Sequence, residues 1–152
     1  MSEKNDSSLS RMMAVLDLFT ERCTDISAEQ VSDTLGVSLP TSYRYLKTLS
    51  DAGLLHRSAQ ARYTLGPRIV MLDHLMRQAD PILKFGTPIL QEITQQTGFD
   101  CVVSSMHGGQ MLDTHREYAA NPASLSFGRG RPRPLFLGAA PKIILAGMNS
   151  SA

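Results

Sequence analysis

Apolar residues recur at Met12, Val15, Leu16 and Phe19, the i, i+3, i+4, i+7 spacing of one helical face, and predict a first helix over residues 10–21. Ser27 stands three residues before Gln30, a pair suited to a capping box, and Val31 and Leu35 follow on one face. A short second helix ending at Gly36 follows from that. Ser38 offers the next N-cap, and Pro40 falls in a first turn where its missing N–H is harmless. The run to Ala52, before Gly53, predicts the longest of the three helices. Beyond it, residues 54–57 and 62–65 are short strand-like runs on either side of Ser58-Ala-Gln-Ala61, the pattern of a hairpin, closed by Gly66-Pro67.

The second half changes character. Ile69, Leu72 and Met76 repeat at helical spacing until Asp80-Pro81 breaks the run. Residues 82–96 carry Ile89, Leu90 and Ile93 on one face, with a kink or restart expected at Gly86-Thr87-Pro88. Residues 100–106 and 110–116 alternate about His107-Gly108-Gly109 as a second hairpin. A brief strand over 124–127, a Gly/Arg/Pro segment over 128–134 and a helix over 142–146 complete the pattern. The expected fold class is α+β. A polar arm (1–9) precedes a winged helix-turn-helix (10–66), a linker helix (67–80) and an α+β region (81–152).

Charge sharpens the first of these segments. The chain has 152 residues, 42% hydrophobic, with a net charge of +1, so any contact with a polyanion must come from a local patch. Residues 38–68 hold that patch: Arg44, Lys47, Arg57, Arg62 and Arg68 face a single acid, Asp51. The helix-turn-helix pattern wants Val31, Leu35, Val37 and Tyr45 buried, with Gly36 in the turn. On a helical wheel with Leu46 and Leu49 inward, Ser42, Tyr45 and Gly53 share their side, while Pro40, Thr41, Arg44, Lys47 and Thr48 point outward and Tyr43 lies on the border. Hydroxyls and cations on the outward face suit a helix in the major groove, where base edges are read by hydrogen bonds. The candidate DNA-binding residues are therefore Ser38, Pro40, Thr41, Ser42, Tyr43, Arg44 and Lys47, Ser42 being counted although the wheel turns it inward. Arg57 and Arg62, flanking the hairpin tip, would let the wing touch phosphates or the minor groove.

Other chemistry has little to build on. Cys23 and Cys101 are too far apart in sequence for a disulfide framework and fit a reducing, cytoplasmic setting. No apolar run reaches the roughly 18 to 20 residues that span a bilayer. Pairing Met106 with Gln110 would set Cys101 opposite His115, but no third ligand or orienting acid accompanies them. No phosphate loop, nucleophile motif or carboxylate pair is present, so no catalytic residue, metal site or cofactor is expected.

Five motifs, taken together, resemble the IclR family of bacterial regulators: Met13-Ala-Val-Leu-Asp-Leu-Phe19, Leu35-Gly-Val-Ser38, Thr41-Ser-Tyr-Arg44, Leu49-Ser-Asp-Ala-Gly-Leu-Leu55 and Tyr63-Thr-Leu-Gly-Pro-Arg68. The likeness continues through residues 88–98, the Gly108-Gly109 hairpin and residues 128–135 to Lys142-Ile-Ile-Leu-Ala146. It implies a winged helix on double-stranded DNA, a linker helix that pairs two subunits into a homodimer or higher oligomer, and a GAF-like sensor domain for a small organic acid effector. Ala139 and Ala140 resemble the positions that offer backbone N–H groups to that effector. The family's sensor domain continues past the Lys-x-x-Leu-Ala helix, so 81–152 is expected to be only its first part. Leu39 departs from the family's basic residue, and Leu135-Phe136 from a Leu-His pair. The function implied is sequence-specific regulation by a homodimer on a roughly palindromic operator. The competing readings are a protein-interaction module that pairs with longer relatives through Ile69, Leu72 and Met76, and a small-molecule sensor without DNA binding.

Overall fold

The computed structural model describes residues 7–107, 109–122, 128–136 and 138–147. The chain divides into two compact units, Met1–Arg77 and Gln78–Ala152, each with its own sheet.

In the first unit, α1 (Ser8–Met13) starts two residues earlier than the periodicity predicts, because the Ser7 side chain caps it by accepting from the Ser10 N–H at 3.1 Å. It then tightens into a 3-10 helix (Ala14–Leu18) instead of running on as one α-helix. Met12, Val15 and Leu18 are spaced by three, the 3-10 period, and this winding buries Val15 completely. The helix stops at Phe19, before the expected residue 21, because the Thr20 hydroxyl accepts from the N–H groups of Arg22 and Cys23. A strand of two residues, β1 (Asp25–Ile26), follows. It is too short to show an alternation in sequence.

α2 (Ala28–Leu35) opens on the expected capping box: the Ser27 hydroxyl accepts from the Gln30 N–H at 3.3 Å, and the Gln30 carbonyl oxygen accepts from the Ser27 N–H at 2.8 Å. α3 (Leu39–Asp51) has Pro40 in its first turn. It ends in a Schellman arrangement, with Gly53 at φ +73° donating to Ser50 and Leu54 donating to Leu49. β2 (Leu55–Arg57) and β3 (Tyr63–Leu65) form the wing, Arg57 opposite Tyr63, and β1 joins β3 to complete an antiparallel sheet of order β1-β3-β2. The core between sheet and helices is Val15, Ile26, Ala28, Val31, Tyr45, Leu46, Leu49, Leu55 and Tyr63. α4 (Pro67–Ala79) leaves from the wing.

In the second unit, α5 (Pro81–Thr97) is capped by Asp80, whose carboxylate accepts from the Ile82 N–H at 2.8 Å, and runs unbroken through Pro88. The anticipated restart does not occur. Thr87 donates to the Leu83 carbonyl and Pro88 is exposed. β4 (Cys101–His107) and β5 (Gln110–Glu117) pair antiparallel, and β6 (Pro132–Arg133) adds to the β5 edge. His107 faces Gln110, one step away from the expected register, and a bulge between Val103 and Ser104 shifts the pairing again. As a result Cys101 lies opposite Glu117 and His115 opposite Val103, so Cys101 and His115 do not face each other across the ladder. Two buried carboxylates are paired: Asp113 with Ser104 at 2.7 Å and Arg133 at 2.9 Å, and Asp100 with Arg116. α6 (Ala139–Gly147) begins three residues before the expected helix. The strand expected over 124–127 falls outside the described residues.

Among the glycines of the described residues, Gly66 stands apart in how closely the backbone passes it. A Cβ on Gly66 would lie 2.2 Å from the Gly53 carbonyl oxygen, inside any permitted contact. Gly36 has open space and only its φ of +62° to satisfy. Gly66→Ala is therefore expected to destabilise the first unit by about 1–3 kcal/mol or more through overpacking. Gly36→Ala should lose about 1–2 kcal/mol from the left-handed backbone alone. Denaturant melts of the two variants check the order, and a Gly66→Ala protein as stable as wild type would show that the close approach is not a constraint.

Candidate nucleic-acid interface

The turn between α2 and α3 is fixed before α3 presents anything. Gly36 supplies the left-handed backbone, the Ser32 hydroxyl donates to the Val37 carbonyl at 2.7 Å, and the Val37 N–H returns to the Ser32 carbonyl at 3.2 Å. Leu46 and Leu49 hold one face of α3 in the core, and the Tyr45 hydroxyl pairs with that of Ser8 at 3.0 Å. What faces away is therefore determined by packing.

That outward stripe contains Pro40, Arg44, Lys47 and Thr48, all exposed, with Thr41 half-buried beside them. Ser38 is exposed at the helix start, but its hydroxyl pairs with Thr41 at 2.9 Å instead of capping the backbone. Arg44 is exposed, its guanidinium 5.8 Å from the Tyr45 ring centre. Tyr43 is 43% exposed, and its phenol helps hold the Glu29 carboxyl below its ordinary range, behind the larger effects of the Ser27 hydroxyl and the backbone. The wing contributes Arg57, exposed, with its guanidinium 5.9 Å from the Tyr63 ring centre. Between α3 and the wing lies an open concavity of about 360 Å³ lined by Tyr43, Lys47, Ser50, Asp51, Arg57 and Tyr63.

Two of the candidates are corrected. Ser42 is 0% exposed and donates to the Ser38 carbonyl at 3.3 Å, so it is part of the helix packing and offers nothing to a groove. Arg62 is drawn back from the wing tip. It forms a two-pronged ion pair with Asp25, donates to the Asp25 carbonyl at 2.9 Å and reaches the Gln30 side chain at 3.3 Å. Asp25 sits on β1, a strand invisible to sequence patterning, so the partner could not be anticipated. The hydrogen bond and charge of Arg62 hold the Asp25 carboxyl below its ordinary range, while Asp25 raises Arg62. Arg62 thus clips the start of β3 to β1 and to the first turn of α2.

Lys47 also has a partner. Its ammonium meets the Asp51 carboxylate at 2.8 Å one turn on, which raises the lysine above its ordinary value, mainly through the hydrogen bond. Arg68 donates to the Ala52 carbonyl at 2.9 Å. Among the described residues, Arg44 and Arg57 have ring contacts and no carboxylate.

The remaining candidates are Ala139 and Ala140. They form the first turn of α6 behind Gly138, whose φ is +96°. Cys23 and Cys101 are both free thiols. Among the described residues no group of three or more metal-ligating side chains is gathered, and no helix is long and apolar enough to cross a membrane.

This geometry has counterparts. Residues 8–59 match the model of the IclR helix-turn-helix domain. The chain is 26% identical to the HTH-type transcriptional regulator XynR of Escherichia coli (strain K12) over 141 residues, covering 91% of this chain and 56% of XynR. It therefore spans little more than half the length of that relative. Its fold is similar to that of an IclR family transcriptional regulator from Brucella abortus, with a TM-score of 0.77, 19% identity, and coverage of 98% of this chain and 57% of the other. It is similar also to an IclR homologue from Microbacterium hydrocarbonoxydans in complex with 4-hydroxybenzoate, with a TM-score of 0.64, 19% identity, and coverage of 85% and 54%.

The Asp25–Arg62 clip makes a pH-dependent contribution with a definite sign. A carboxyl whose folded value is lowered stabilises the fold above its unfolded value and loses that contribution as pH falls through the folded value. Wild type is expected to melt above Asp25→Asn near pH 7, with the gap constant down to about pH 4 and closing below it, near the ordinary carboxylate range. Thermal melts of both proteins across that range check this. A gap that stays constant to the lowest pH at which both fold would mean that the ion pair is not its origin.

Proposed function

Because this chain belongs to the IclR family of transcriptional regulators, we propose that it binds specific double-stranded DNA as a homodimer, with α3 of each subunit in successive major grooves of a roughly palindromic operator. The observation that carries this reading is the outward stripe of Thr41, Arg44 and Lys47 on a helix whose direction the core fixes, with Arg57 of the wing across an open cleft from it. Arg44 is the principal base-edge or phosphate contact, because its guanidinium is exposed and, among the described residues, not committed to a carboxylate. Ser38, Pro40, Thr41 and Tyr43 line the approach to the groove, and Arg57 holds backbone phosphate. Arg62 and Ser42 support the geometry from behind.

The homodimer reading rests on α4. None of its residues is buried by the described residues, and Val70, Met71, Leu72, Leu75 and Met76 are 46–72% exposed. Ile69, the third residue of the expected pairing face, is half-buried. A helix so apolar and so uncovered is explained by a second subunit packing on it. In the second unit, the first turn of α6 at Ala139 and Ala140 is assigned to a small organic acid effector, a reading supported by the bound 4-hydroxybenzoate of the structural neighbour.

Two measurements test the proposal. DNA affinity should fall steeply and linearly on a log–log plot against salt, and Arg44→Ala should weaken it by roughly 1–3 kcal/mol, the usual worth of a specific arginine contact. Affinity that Arg44→Ala leaves unchanged would sink the assignment of α3 as the reading helix. Sedimentation of the double variant Leu72→Glu and Met76→Glu should show a monomer where wild type shows a dimer. A variant that stays dimeric would move the subunit contact off α4.

A further inference from the structure

Lys47 and Asp51 make a poor pair for holding a helix together. The cation precedes the acid at i, i+4, the less favourable of the two orders, and Asp51 places a negative charge in the last turn, against the helix dipole. Both side chains are well exposed, at 76% and 66%, where such pairs contribute little to stability. Yet both line the concavity between α3 and the wing, facing Arg57, and both continue the outward stripe that begins at Pro40 and Arg44. The pair is thus badly placed for folding and well placed for contact with a polyanion.

We propose that Asp51 is a positioning residue that withholds Lys47 from the DNA backbone, so that the Lys47–Asp51 ion pair limits how tightly this interface holds DNA. The inference rests on the reading of α3 and the wing as a DNA-binding surface. A phosphate seated in the cleft has to take the Lys47 ammonium from a carboxylate 2.8 Å away, and it meets the Asp51 charge beside it. The Asp51 hydrogen bond and charge hold the Lys47 ammonium above its ordinary range. Moderate affinity is therefore built into the helix that reads the DNA.

The experiment uses the 152-residue chain and a fluorescent mixed-sequence duplex of about 30 base pairs, long enough for two half-sites one helical turn apart. Asp51→Asn should bind more tightly than wild type, on the order of fivefold for each half-site at low salt, and its log–log salt slope should be steeper by about one phosphate neutralised for each subunit bound. With a slope change of about 0.9 for each half-site, the gain per half-site at 50 mM salt should exceed that at 200 mM by about 3.5-fold. In a Lys47→Ala background the same substitution should give a smaller gain, because there is no ammonium left to release. Melting temperature should be unchanged or raised in Asp51→Asn, which separates the effect from misfolding. Unchanged or weakened binding by Asp51→Asn, with wild type showing its steep salt slope, overturns this inference alone. Equal gains in the two backgrounds overturn the role of Lys47 in it. Wild-type binding without salt dependence overturns the DNA reading and this inference together.

Discussion

At the junction of Gly53 and Gly66 the last turn of α3, both ends of the wing and the first turn of α4 come within backbone contact. The Gly66 N–H donates to the Leu54 carbonyl at 2.8 Å, and the Arg68 N–H donates to the Gly53 carbonyl at 3.2 Å. A side chain on Gly66 would occupy the space of the Gly53 carbonyl, so the two strands of backbone can meet only where that side chain is missing. This junction and the core packing of α3 against Leu55 and Tyr63 together set the direction of α3 relative to the wing. Without them the outward stripe on α3 and the arginine on β2 would be two separate surfaces.

Charge is distributed within that frame less freely than composition suggests. Five cations in residues 38–68 look like a single basic patch when counted. In the folded unit Arg62 is committed to Asp25 and Gln30, Lys47 to Asp51, and Arg68 to a helix-terminal carbonyl. Among the described residues, Arg44 and Arg57 are left with aromatic neighbours and no carboxylate. Some of the basic residues therefore build the surface that the others present, and no count of residues can separate the two roles.

The elements legible in the sequence are those whose signals are local. The Ser27–Gln30 capping box, the glycine that ends α3 and the apolar spacing of α3 all act within a few residues, and each is read directly. The missed features depend on distant partners. β1 has two residues and exists because β3, 37 residues further on, pairs with it, and the same distance separates Asp25 from Arg62. Ser42 shows a different difficulty: a hydroxyl is polar by composition, but bonded to the carbonyl one turn back it packs as a small core residue. The β4–β5 register differs from expectation in two steps: the hairpin already pairs His107, not Met106, with Gln110, and the bulge at Val103/Ser104, which leaves no mark in the alternation on either side, shifts the pairing again.

The anchorage of α4 has a mechanical consequence. Its first residue is a proline with a fixed φ, its second donates from the main chain to Gly53, and that same residue's guanidinium holds the Ala52 carbonyl. The end of α3 and the start of α4 are therefore tied through one residue, by a main-chain and a side-chain hydrogen bond. A force applied along the 13 residues of α4 meets α3 at that tie before it meets any other part of the helix. Turning α3 through it would carry Tyr45, Leu46 and Leu49 along, so the hydrophobic core resists what the tie transmits.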